Sequence, residues 1–126
     1  MRLGIARESR VADLQKEFNH FYPYLKLEFF RLPFSQKKNL QKAERVNPNE
    51  YVERLTRSYK SGSVSIDQKK TVAQVVEDFW VEFGLSVLVF RKSGNLWIET
   101  SLTDSWTLDK QNKIGESFSG SSGDSL

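Results

Sequence analysis

The chain of 126 residues has no cysteine, one histidine, one methionine and three prolines. Without cysteine there are no disulfides, thiolate zinc sites, iron–sulfur ligands or cysteine nucleophiles, and such a chain fits an intracellular protein most simply. The single histidine, His20, falls in a helical stretch between Phe18 and Phe21, where a packed or surface role is expected. One His without Cys leaves no Cys–His pair and too few ligands for most zinc sites. Long apolar runs are missing as well. No window approaches the roughly 20 apolar residues of a membrane helix, and Met1–Ala6 has no apolar stretch of signal-peptide length. A soluble, cytoplasmic protein is the expectation.

Glycine is sparse where phosphate chemistry needs it. Ser58-Tyr59-Lys60-Ser61-Gly62-Ser63 has a single glycine with no Gly-Lys-Ser/Thr after it, so neither a phosphate loop nor a dinucleotide fingerprint is present. Glu77, Asp78 and Glu82 are spread on one predicted helix, the usual setting for solvated partners of Lys and Arg. No nucleophile elbow supports a Ser-His-Asp triad. These absences point away from an enzyme, and no cofactor or metal is expected.

Aromatics, by contrast, are plentiful: nine Phe, four Tyr and three Trp. They supply large buried area per residue, and 126 residues suffice for one self-sufficient core. Leu3-x-Ile5 reads as a short strand. Ser9 can cap a helix with Val11, Leu14, Phe18 and Phe21 on one face, ended by Pro23. Tyr24–Arg31 is then a strand, with Leu25, Leu27 and Phe29 on one side and Lys26, Glu28 and Phe30 on the other. Val64-x-Ile66 opens the same order again. The Thr71-x-x-Gln74 capping box starts a helix whose apolar face is Val72, Val75, Val76, Phe79 and Phe83, Gly84 closes it, and Leu85–Arg91 is the strand. Leu3, Ile5, Val11, Leu14 and Phe18 match Val64, Ile66, Val72, Val75 and Phe79 at a constant offset of 61. Phe30-Arg31 matches Phe90-Arg91 at 60. This agreement reads as internal duplication.

Asn47-Pro48-Asn49-Glu50 predicts a helix start, and Thr107–Ile114 a weaker helical segment. Lys92-Ser93-Gly94-Asn95 has tight-turn composition and joins Leu85–Arg91 to a strand at Asn95–Thr100. The expected architecture is α+β: a single domain over residues 1–116 built of two β-α-β units, about 2–58 and 63–116, followed by a disordered tail at 117–126. The β-α-β-β-α-β order predicts a ferredoxin-like antiparallel sheet with both helices on one face. The second half alone also resembles ubiquitin-like β-grasp domains in its order of elements. Val89-Phe90-Arg91-Lys92-Ser93-Gly94-Asn95-Leu96-Trp97-Ile98-Glu99-Thr100 resembles a small uncharacterised bacterial family. That resemblance implies a bacterial origin and brings no known activity.

Two function classes remain. If the helices cover one sheet face, Phe30 and Trp97 form an aromatic patch on the other, rimmed by Arg31 and Arg91. Such a patch suits a protein–protein interaction module or a homodimer. The alternative lies in the charge distribution. Arg31 to Lys60 holds eight basic residues (31, 37, 38, 42, 45, 54, 57, 60) against three Glu (44, 50, 53), a net of +5 in a chain of total +3. Lys37, Lys38, Lys42 and Arg45, beside Phe30 and Phe34, could hold a single-stranded nucleic acid by phosphate contact and stacking. Neither Tyr24–Arg31 nor Val64–Ile66, however, carries the glycine-and-aromatic pattern of RNA-binding ferredoxin-like domains.

Overall fold

The computed structural model describes residues 1–31 and 44–119. Its order is β1 (Arg2–Ile5), α1 (Val11–Phe21), β2 (Leu25–Phe30), a 3-10 turn at Val52–Leu55, β3 (Gly62–Ser65), α2 (Val72–Phe83), β4 (Ser86–Ser93), β5 (Leu96–Glu99), a 3-10 turn at Ser101–Thr103 and α3 (Leu108–Ser119). The class is α+β with antiparallel sheets, consistent with a ferredoxin-like arrangement and without a barrel. Hydrogen bonding divides into two ladders, β1–β3 and β2–β4–β5. Period-two alternation decides what each strand buries. Leu25, Leu27 and Phe29 of β2 and Val87 and Val89 of β4 join Leu3, Ile5, Val64 and Ile66 in one core, together with the apolar faces of α1 and α2 and Leu108 of α3.

The helix ends follow local chemistry. Thr71 and Gln74 form a reciprocal capping box, at 3.1 and 2.9 Å. Gly84 closes α2 at φ 66°, a conformation glycine takes without steric cost. Two predicted details differ. Ser9 does not cap α1: its hydroxyl accepts the Ala6 N–H at 2.9 Å inside the preceding turn, and the Asp13 carboxylate accepts the Arg10 N–H at 2.8 Å. Phe21 is exposed, and Tyr22 takes its place in the core.

Asn47-Pro48-Asn49-Glu50 forms a turn, not a helix start. Its Asn47 side chain accepts the Asn49 N–H, and the Asn47 carbonyl accepts the Glu50 N–H. This turn serves α1. The Val11 and Ala12 amides donate to the carbonyls of Glu50 (2.9 Å) and Pro48 (2.8 Å). In the second unit the Val72 and Ala73 amides donate in the same way to Trp106 (3.1 Å) and Asp104 (2.9 Å). Return bonds run from Val52 N–H to Ser9 and from Leu108 N–H to Lys70. First-turn amides have no partner within their own helix, so each unit satisfies them with backbone from a later segment. Likewise Phe30 pairs with Arg45 as Phe90 pairs with Glu99. The chain after β2 thus returns beside it, as β5 returns beside β4.

α3 runs on to Ser119, three residues into the segment expected to be a tail, and 120–126 lie outside the described residues. Its Gly115 lets the helix approach the sheet, since a Cβ there would stand 2.8 Å from Tyr24 Cβ and 3.1 Å from the Tyr24 carbonyl oxygen. Gly115→Ala is expected to cost about 1–3 kcal/mol by forcing α3 outward, as overpacking does, measurable by urea denaturation. Tyr22 gives a pH-dependent test. Its buried hydroxyl donates to the Ile66 carbonyl at 2.6 Å. Burial, and then the Asp67 and Asp109 charges, push its pKa up to about 12. The folded state therefore holds this proton longer than the unfolded chain does, so the stability it contributes is complete below pH 10 and lost as pH rises toward 12. Tyr22→Phe should remove that part of the alkaline loss and cost about 0.5–1.5 kcal/mol at neutral pH, read from denaturation midpoints across the pH range.

Candidate binding surfaces

The residues facing away from the core on β2 and β4 build a second, smaller apolar cluster. Phe30, Leu88 and Phe90 are buried there, and half-buried Trp97 of β5 packs against them. Glu28 stands among them. Its carboxylate accepts from Arg45 at 2.9 Å and from Gln15 at 2.7 Å, with Lys26 at 3.3 Å. Those two cations also lie over aromatic rings, Arg45 at 4.9 Å from Phe90 and Lys26 at 5.2 Å from Trp97. Cation–π attraction and the shared carboxylate together hold them across the cluster.

This changes the expected aromatic patch. Phe30 is only 6% exposed and cannot be a bare contact residue. It does share a face with Trp97, as alternation required. Arg31 is exposed but turns to Glu50, at 3.0 Å. Arg91 is not on the rim. In register with Leu25 and Ile98, it projects from the opposite face, donates to Gln111 Oε1 at 2.8 Å and lies 5.6 Å from the Trp106 ring. Successive strand residues face opposite ways, so Arg91 lies across the sheet from its neighbour Phe90. Of the basic residues proposed for nucleic acid, Lys37, Lys38 and Lys42 lie outside the described residues, and Arg45 is engaged with Glu28.

The two edges of the three-stranded sheet differ. On the outer edge of β2, the Leu25 carbonyl accepts from Asn19 Nδ2 and the Leu27 carbonyl from Gln15 Nε2, both at 2.9 Å. The Phe29 carbonyl accepts the Val46 N–H, and the Arg31 N–H donates to Glu44. That edge is sealed. On β5, the two-residue turn at Gly94-Asn95 makes Ser93–Leu96 the closing pair, and Thr100 N–H donates to the Val89 carbonyl. Antiparallel parity then turns the backbone groups of Leu96 and Ile98 toward β4 and those of Trp97 and Glu99 outward. Among the described residues no strand pairs with them. Leu96 (69% exposed) and Ile98 (42%) flank this edge, and the strand carries no Lys or Pro. Exposed Phe118 ends close by, its carbonyl accepting the Gly94 N–H at 3.2 Å.

A third feature is an open cleft of about 870 Å³ between residues 54–60 and the end of α2, with Arg31, Arg54, Arg57 and Lys60 on its walls and Glu82 as the acidic lining residue. Half of the basic residues counted between 31 and 60 gather here. Glu50 bridges Arg31 and Arg54, and its carboxyl is held below the usual carboxylate range, first by the Tyr51 N–H and then by those arginines. Arg57 and Lys60 line the cleft together with the last turn of α2, which has no basic residue of its own, a placement that suits the negative end of the helix dipole.

Sequence reasoning missed Gln15 and Asn19 as edge seals, because side-chain amides on a helix carry no strand signal. It also missed the β5 edge, although Leu-Trp-Ile-Glu, apolar on both faces after a tight turn, was the available sign. His20 packs near Phe21, and Asp78 pairs with Lys70. Among the described residues no group of three or more His, Asp or Glu side chains converges to hold a metal, and no helix is long and apolar enough to cross a membrane. No protein-family model, curated protein or solved structure matches the chain.

Removing Arg57 and Lys60 together (Arg57→Ala with Lys60→Ala) should lower stability by about 0.3–1 kcal/mol per charge at low ionic strength. The difference should shrink at high salt, as screened surface charges require. Urea denaturation at two salt concentrations reads both effects.

Proposed function

We propose that the protein is a non-enzymatic interaction module that binds a protein partner by strand addition at the free edge of β5. The observation that carries this reading is the contrast between the two sheet edges, one sealed by side chains and returning backbone, the other bearing backbone groups that are unpaired among the described residues and lie between exposed apolar side chains. Natural proteins blunt free edges with short strands, charged side chains, Pro or bulges; the four-residue β5 has no Lys or Pro, and its charge is Glu99 at the strand end. An extended partner segment would satisfy Trp97 and Glu99, with Leu96 and Ile98 supplying apolar contact. The face behind it, with Phe30 beneath and Trp97 half-exposed, gives the added strand a rigid support. The recurring helix-start bonds also support reading the two units as an internal duplication, with the β5 hairpin and the basic connection as its divergent parts.

A second reading, single-stranded nucleic-acid binding by the basic residues, is favoured by the cleft of Arg31, Arg54, Arg57 and Lys60. It weighs less because three of those four cations already have protein partners: Glu50 for Arg31 and Arg54, and the Phe83 ring for Lys60.

The two readings separate in one comparison. A protein captured by the wild-type chain and by the Arg57→Ala/Lys60→Ala variant, but not by a Leu96→Lys/Ile98→Lys variant, is the expected result. Capture indifferent to the β5 substitutions would overturn the strand-addition reading. Oligonucleotide retardation that weakens steeply with salt and disappears in the Arg57→Ala/Lys60→Ala variant would establish the second.

A further inference from the structure

Resting on the strand-addition reading, we infer that the strand added at β5 is the β5 of a second copy, paired antiparallel about a twofold axis at Ile98. A twofold contact places the same surface on both sides, so the edge must complement itself, and the register can be worked out from parity. The outward-facing backbone groups belong to Trp97 and Glu99. An axis at Ile98 sets Trp97 of each strand opposite Glu99 of the other, and each such pair exchanges both its N–H···O bonds. Every outward-facing group of the strand is then used.

Neighbouring registers do worse. An axis at Glu99 opposes two carboxylates, and like charges directly across a ladder are destabilising. An axis at Trp97 sets Glu99 against Asn95, which belongs to the turn and lies outside the strand. An axis between residues matches an outward-facing residue with an inward-facing one and makes no ladder.

The side chains agree with the same register. On one face Ile98 meets its own copy, and Leu96 lies opposite Thr100. These two are the exposed apolar residues of β5. On the other face Trp97 flanks the Glu99 carboxylate. The three-stranded sheet would become a continuous six-stranded sheet across the axis, ending at both outer margins on edges already sealed by Gln15, Asn19 and residues 44–46. Pairing therefore stops at two copies and does not propagate.

The chain's lack of cysteine permits a direct test. Ile98→Cys puts one thiol on the axis, in a non-hydrogen-bonded pair with Cα atoms about 4.5 Å apart, within the range a disulfide spans. Leu96→Cys puts a more exposed thiol four residues out of register with its copy, at roughly 13 Å or more. Under mild oxidation Ile98→Cys should form a covalent dimer while Leu96→Cys remains monomeric on non-reducing gels. The wild-type chain should sediment as a concentration-dependent dimer, with the Leu96→Lys/Ile98→Lys variant monomeric and melting, at any concentration, where the wild-type chain melts once diluted to monomer. A wild-type chain monomeric into the high micromolar range, or equal cross-linking through both thiols, would overturn the second copy as occupant. If protein capture nonetheless remains sensitive to β5 substitution, strand addition stands with a different partner. If capture too is insensitive, both fail.

Discussion

β2 and β4 lie antiparallel over six residue pairs, from Leu25 opposite Arg91 to Phe30 opposite Ser86, and most of what the molecule presents follows from that register. Strand side chains alternate strictly, so this pairing sends Leu25, Leu27, Phe29, Val87 and Val89 into the main core and leaves Phe30, Leu88 and Phe90 to build a cluster on the far face. A slip of one residue would exchange the two sets and place Lys26 and Glu28 against the helices. The pairing also joins the two β-α-β units and gives β5 its support.

The outer cluster and the edge are coupled through Trp97. Its side chain packs against the cluster of Phe30, Leu88 and Phe90, while its backbone faces outward at the margin of the sheet. Lys26 over that ring is held by Glu28, which also anchors Arg45. Basic residues that by composition alone resembled a polyanion-binding surface are thus partly consumed in fixing the strand that carries the free edge. Of the cleft cations, Arg31 and Arg54 are consumed in a comparable way by Glu50, and Lys60 lies over the Phe83 ring. Clustering of charge in a sequence measures proximity along the chain, whereas availability depends on which carboxylates and dipoles the fold brings alongside.

Much of the fold was legible. Both helices, their capping chemistry at Thr71, Gly84 and Pro23, and the alternation of β2 are local patterns, and local patterns survive folding when the core agrees with them. The hairpin at Gly94-Asn95 was equally plain. The failures lie where a non-local partner decided the outcome. Asn47-Pro48 has the chemistry of a helix start, but its carbonyls are recruited by Val11 and Ala12, which holds it as a turn. Arg91 was set on the rim of the aromatic patch, but alternation opposes it to Phe90, and Gln111 and Trp106, from later in the chain, hold it on that other face. Phe30 looked exposed because alternation separates faces without saying whether the second face is covered. The free edge was hidden for the opposite reason: it is defined by what does not pair with it, and no residue pattern records that.

The crossing of strands between the units has a consequence for how the chain gains and loses its structure. Among the described residues β1 pairs with β3, and β2 pairs with β4 and the returning segment, so the β1–β3 and β2–β4 pairings each join one strand from each half, about 60 residues apart in sequence. Apart from the local β4–β5 hairpin, neither half can complete its pairing by itself, and the loop-closure entropy of both long-range pairings falls on the same encounter. Once either ladder forms, the ends of the other are already close, and its closure costs far less. The two halves therefore constitute one cooperative unit, whose partly folded forms are disfavoured by topology before any individual contact is weighed.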